Sequence, residues 1–244
     1  MGFVAIGLLA LTSGVLIGGI AIGGVLLVPG LTLLGVPIHE AVAAAMLAML
    51  FSGGIATAVF ARRGSVDWPS AGWLSLGAVP AAFAGAVVGN RASPLLLGAV
   101  IGVTVIFAGW RVLRRDAGDG RREGLAPAVL VLIGVVIGFA SALTGTSGPV
   151  LLVPLLIWLD LPILRTVGMS QAIQLPITLM ATLGNLAFGA FDPGVTAAVT
   201  AGLVLGCWVG ARMAHALPAP LLTRIVGVVL LGVGGLLILR SASS

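Results

Sequence analysis

The sequence predicts an all-α, polytopic membrane protein of about eight transmembrane segments, two tandem four-segment repeats with a broken or re-entrant first helix in each. Three observations predict it. Hydrophobic residues make up 59% of the chain and charged residues 8%, with a mean hydropathy of +1.24; a soluble domain of that composition would leave too much of its surface apolar. Apolar runs long enough to cross a bilayer recur along the whole length, without the period-two alternation of barrel strands. The pentapeptide VLLVP occurs twice, at 25–29 and at 150–154, each time behind glycine.

The apolar runs are 3–34, 41–61, 70–89 and 94–113, then 126–159, 166–187, 194–214 and 219–239. Between the two sets lies RRDAGDGRREG, the one charged linker. The domains expected are therefore a first repeat at 1–113, a cytoplasmic linker at 114–125, a second repeat at 126–240 and a short tail at 241–244. The first run has no basic leader and is too long for a signal-peptide core, so it reads as a membrane segment. Ile6 stands where a myristoylation signal needs Ser or Thr.

Sliding the first half by 125 positions aligns Pro37 with Pro162, Ile38 with Ile163, Asp67 with Asp192, Gly85 with Gly210 and Gly102 with Gly227. Ten of sixteen positions are identical between 23–38 and 148–163. One register held across a whole half marks an internal duplication, the common construction of secondary transporters.

All twelve basic residues are arginines. With the linker in the cytoplasm, Arg62, Arg63, Arg111, Arg114, Arg115, Arg121, Arg122 and Arg240 fall inside and Arg91, Arg165, Arg212 and Arg224 outside. That split predicts a multi-pass protein of the bacterial cytoplasmic membrane with both termini inside. Four crossings per half make the halves run the same way; an odd count would invert them.

Runs 3–34 and 126–159 exceed one crossing and are too short for two complete ones. Each is interrupted, by GGIAIGG and by SALTGTSGP, ahead of a Val-Pro pair. A broken helix, or one followed by a re-entrant half-helix, fits. Broken backbone at membrane depth is tolerated only inside protein or beside a watery cavity, and helix starts there favour anions. The candidate site residues at the breaks are Gly23, Gly24, Thr144, Gly145, Thr146, Ser147 and Gly148. Gly14, Gly18, Gly206 and Gly210 read instead as close helix packing.

The halves differ chemically. Ser170, Gln171, Gln174, Thr178, Thr182 and Asn185 stand where the first half has Ala45, Met46, Met49, Gly53, Thr57 and Phe60. Side-chain amides in lipid need partners, so Ser170, Gln171, Gln174 and Thr178 are expected on one inward face of a helix bent at Pro176, touching substrate. Asp67 and Asp192 read as N-caps, Cys207 as a small packing residue, and the arginines at segment ends as snorkelling groups.

The glycine break running into Val-Pro, the loop ARRGSVDW at 61–68 and the second-half GFASALTGTSGPVLLVPLL resemble the sulfite exporter TauE/SafE family of membrane permeases. The resemblance covers essentially the whole chain and implies movement of small sulfur-containing or organic anions, of the sulfite, sulfonate and thiosulfate class. The chain departs from the usual second-half glycine triplet, carrying Thr146, Ser147, Gly148 and Pro149.

The leading expectation is thus a secondary transporter for such anions, bound near mid-membrane between the repeats, with no cofactor and no metal. Its partners are the small anion and the lipid bilayer, not nucleic acid, and a homodimer is left open. Two other classes compete. An intramembrane enzyme would need a constellation such as a Ser beside a His, two carboxylates at membrane depth or HExxH, and none appears. A cation-coupled carrier or channel would use buried acids, yet Glu40, Asp67, Asp160 and Asp192 all lie at segment ends.

Overall fold

The computed structural model describes residues 2–89, 110, 124–144, 148–188 and 192–242. Among these the regular structure is helical and no strand occurs: α1 Gly2–Ile20, α2 Gly24–Leu33, α3 Ile38–Arg62, α4 Trp68–Gly89, α5 Pro127–Thr144, α6 Pro149–Trp158, α7 Ile163–Phe188, α8 Pro193–Ala216 and α9 Ala219–Ala242. The stretches Gly2–Ile20, Ala43–Arg62 and Pro193–Ala216 are long and apolar enough to cross a membrane. The expected segment at 94–113, apart from Trp110, and linker residues 114–123 lie outside the described residues.

Helix starts follow local chemistry. Asp67 accepts from the Ser70 backbone N–H at 3.2 Å and from its hydroxyl at 2.9 Å, and Asp192 accepts from the Val195 N–H at 2.7 Å. Both are therefore N-caps, of α4 and α8. Pro127, Pro149 and Pro193 open α5, α6 and α8, where a missing N–H costs nothing. Gly35 and Asp160, equivalent under the 125-residue shift, both take left-handed backbone, with φ of 89° and 73°. They turn α2 into α3 and α6 into α7.

Close backbone contacts fix the helix directions. α1 lies along α8: a Cβ on Gly14 would sit 2.5 Å from the Leu203 carbonyl oxygen, and one on Gly18 would overlap the Cys207 carbonyl. Gly206 and Gly210 meet Leu11 and Val15 in turn, so the two helices run parallel. In the same way Gly134 meets Leu74 and Gly138 meets Ala78, making α4 and α5 parallel. Glycine at such crossings lets carbonyl oxygens approach the facing backbone. α2 folds back on α1, with Gly23 against Ser13 and Ile17 and Gly30 against Leu9.

α3 runs parallel to α8, since Ser52 meets Cys207 and Phe60 meets His215. α7 runs antiparallel to α3: Gln174 bonds to Met49, whereas Gly168 packs on Ser65. Taking the end of α3 as the upper end of the molecule, α7 and α9 begin there. One apolar cluster at that end joins Ile20 and Ile22, Phe60, Ile157, Ile163, Ala214 and Leu222. A second joins α1, α2, α3 and α8, and a third α4, α5, α6 and α7. The two are matched sets under the 125-residue shift.

These directions correct the expected orientation. Halves running the same way would make α3 and α7 parallel, and they are antiparallel. The reason is that α2 and α6 each return the chain through part of the molecule, so α3 starts from the end at which α1 starts, and α7 from the end at which α5 starts. α1 begins at the lower end and α5 at the upper end, so Gly2 and Gly124 lie towards opposite ends of the molecule. Arg62, Arg63, Arg165, Arg212 and Arg224, expected on two sides, all belong to upper-end turns or the helix ends beside them.

Candidate functional site

The breaks of the two halves close on α7 from opposite sides. Gly23 and Gly24 are buried at the start of α2, and Gly148 is buried at the start of α6. Neither Gly23 nor Gly148 supplies a side-chain cap to the first-turn N–H groups that follow it. Gly23 packs on the Ile17 backbone, and the Ile17 carbonyl accepts a hydrogen bond from Nε2 of Gln171. On the other side, a Cβ on Gly148 would lie 3.4 Å from the Ile177 side chain, next to Thr178.

Between these contacts α7 carries Ser170, Gln171, Gln174 and Thr178, all expected from the sequence and all between 0% and 1% exposed. Gln174 Nε2 donates to the Met49 carbonyl at 3.5 Å, beside Gly53. Ser52, on the next turn of α3, accepts from Cys207 Sγ at 3.3 Å, near the middle of α8, which sets the pair at mid-height. Cys207 is 0% exposed and packs as a small residue, as its setting in an apolar run implied. Thr178 Oγ1 donates to the Gln174 carbonyl at 2.9 Å, so its hydroxyl is held by its own helix.

The polar atoms left over define the chemistry. Ser170 Oγ, Gln171 Oε1 and Gln174 Oε1 are buried without a hydrogen-bond partner among the described residues. An unsatisfied buried polar atom costs about 1–3 kcal/mol, so a group able to bond with it gains that much on arrival. The Ser170 hydroxyl can donate to an oxyanion, whereas Oε1 of Gln171 and of Gln174, whose Nε2 groups are held by the Ile17 and Met49 carbonyls, accept and so suit a protonated oxygen of the anion. α7 stays helical through Pro176, which leaves the Ala172 carbonyl without its usual helical N–H. The side chain of Thr144 and all of Gly145, Thr146 and Ser147 lie outside the described residues.

One pairing was not legible in the sequence. Ser65, in the turn between α3 and α4, lies 3.0 Å from His215 Nε2, and His215 Nδ1 donates to the Ala211 carbonyl at 2.9 Å. A carbonyl only accepts, so Nδ1 carries the proton and the Ser65 hydroxyl donates to Nε2 in the neutral ring. This is the Ser beside a His that an enzyme reading would want. The N–H groups around it are committed, Gly64 to Ala61 and Ser65 to Phe60, which leaves no oxyanion donors at Ser65 itself. The pair ties the α3–α4 turn to the end of α8.

An open apolar groove of about 650 Å³ lies elsewhere, bordered by Leu47, Pro193, Thr196 and Val204, and contains none of the expected site residues. Among the described residues no group of three or more His, Cys, Asp or Glu side chains comes together to hold a metal.

No curated protein and no solved structure matched the chain. A family model described as Sulfite exporter TauE/SafE matches residues 3–237, nearly the whole length. With its all-helical, apolar architecture, the chain belongs to the sulfite exporter TauE/SafE family of membrane transporters.

Proposed function

We propose that the protein is a secondary permease for small sulfur-containing or organic anions, of the sulfite, sulfonate and thiosulfate class, in the bacterial cytoplasmic membrane. The anion binds near mid-membrane on the face of α7 bearing Ser170, Gln171 and Gln174, between the uncapped starts of α2 and α6. The single observation that carries this reading is the buried, unpartnered polar set on α7: the Ser170 hydroxyl is free to donate to the anion, and Oε1 of Gln171 and Gln174 to accept from a protonated oxygen of it, beside the buried glycine starts of α2 and α6. Fixed dipoles without a buried full charge bind an oxyanion weakly enough to release it.

The two halves act as inverted repeats, each a re-entrant hairpin, α1–α2 or α5–α6, followed by longer helices. The arginine-bearing upper end faces the cytoplasm and the N-terminus the other side, by the excess of arginine on cytoplasmic turns. Rocking of one half against the other would open the packed α3–α7 contact alternately to each side.

The test is ligand-dependent thermal stabilisation of the detergent-solubilised protein. Sulfite, thiosulfate or sulfoacetate at about a hundred times its dissociation constant should add about 2.7 kcal/mol of stability, and sodium chloride at equal ionic strength should not. Equal response to all four salts would remove the anion reading. Loss of the response in Gln171→Leu places the anion on α7.

A further inference from the structure

Thr166, Ser170, Gln174, Thr178 and Thr182 recur along α7 at intervals of four residues. They are 0%, 0%, 1%, 1% and 3% exposed. Thr166 Oγ1, Ser170 Oγ, Gln174 Oε1 and Thr182 Oγ1 have no hydrogen-bond partner among the described residues, and only Thr178 is held by its own helix. Four residues advance an α-helix by about 6 Å, so the stripe extends about 24 Å, most of a hydrocarbon layer of about 30 Å. Hydroxyls in membrane helices ordinarily bond back to their own helix or across to a neighbour. The row winds round α7 by about 40° per step, and four unpartnered groups along it point to something that visits them.

The stripe belongs to one half. Its equivalents on α3 are Ala41, Ala45, Met49, Gly53 and Thr57, small or apolar until the last. α3 meets α7 at Gln174, beside Gly53. Resting on the permease reading above, we infer that the stripe is the substrate path, with Thr166 its upper and Thr182 its lower binding position. The anion is handed along α7 and not shared equally between the halves. Neighbouring rungs lie about 6 Å apart; the free Thr166, Ser170 and Thr182 hydroxyls donate to the anion, Gln174 Oε1 between them accepts from its protonated oxygen, and weak successive sites suit throughput.

The test is uptake into proteoliposomes of whichever radiolabelled anion, sulfite, thiosulfate or sulfoacetate, the wild type moves fastest. Thr166→Val and Thr182→Val keep the branched shape and remove the hydroxyl. Each should slow uptake about three- to tenfold, the loss of one hydrogen bond to a passing ligand, with unchanged melting temperature. Thr196→Val, which removes a buried unpartnered hydroxyl on α8, should leave uptake unchanged. Thr57 is buried and unpartnered like its equivalent Thr182; if Thr57→Val slows uptake as much as Thr182→Val, the path is shared and the assignment to α7 is overturned. Wild-type rates in both Thr166→Val and Thr182→Val overturn the path while the permease reading stands. No uptake of any anion by the wild type overturns both.

Discussion

Gln174 Nε2 donates to the carbonyl oxygen of Met49, 3.5 Å away and 125 positions earlier in the chain. That separation is the offset that superposes the two halves, so each residue touches its own equivalent. On the inverted-repeat reading proposed above, such a self-equivalent contact falls on the pseudo-twofold relating the halves. The axis thus passes between α3 and α7 at this contact, with a polar amide on one side and a thioether on the other.

The asymmetry at the axis makes a first prediction. Met49→Gln, which places a second amide opposite Gln174, should alter the selectivity among sulfite, thiosulfate and sulfoacetate more than the expression or melting temperature of the protein. Competition uptake with pairs of these anions measures it. An unchanged order of preference would separate the axis contact from selectivity.

The helix directions make a second. Cys207 is buried, so single cysteines can be introduced in the native background. Gly2→Cys and Gly124→Cys should react with a membrane-impermeant maleimide from opposite sides of the membrane. Labelling from the same side would restore the parallel arrangement of the halves.

Packing makes a third. A Cβ at Gly18 would overlap the Cys207 carbonyl, and neither backbone can yield without separating α1 from α8. Gly18→Ala should cost about 1–3 kcal/mol by overpacking. Gly72, exposed on α4 with nothing within 4 Å of an added Cβ, should gain up to about 1 kcal/mol from Ala. Thermal or denaturant unfolding in detergent reads both.

The Ser65–His215 link makes a fourth. Ser65→Ala and His215→Ala should be non-additive, with a coupling of about 0.5–1.5 kcal/mol in a double-mutant cycle of unfolding. Additive losses would mean the hydrogen bond contributes nothing.

The sequence revealed some of this and hid the rest for physical reasons. The duplication, the capping by Asp67 and Asp192, and the inward polar face of α7 were readable because each depends on identity or spacing along one chain segment. Chain reversal after α1 was legible only as one of two readings, a broken helix or a re-entrant one, because an apolar run carries no sign of direction and the turn sits on Ala21, a non-glycine residue with φ of 62°. Charges at run ends were then sorted by a miscounted parity, which put Arg62 and Arg165 on opposite sides. Ser65 and His215 are 150 positions apart on unlike elements, and no periodicity links them. Thr166 is different: its four-residue spacing from Ser170 was visible, and only its burial without a partner gave that spacing meaning.

The most direct measurement is the rate of labelled sulfite or thiosulfate uptake into proteoliposomes by the wild type and by Gln174→Leu, matched for melting temperature. Anion-specific uptake by the wild type is expected, reduced about tenfold or more in the variant, as when a hydrogen bond to the moving anion is lost at the centre of its path. Equal uptake by the two proteins would contradict the placement of the site on α7.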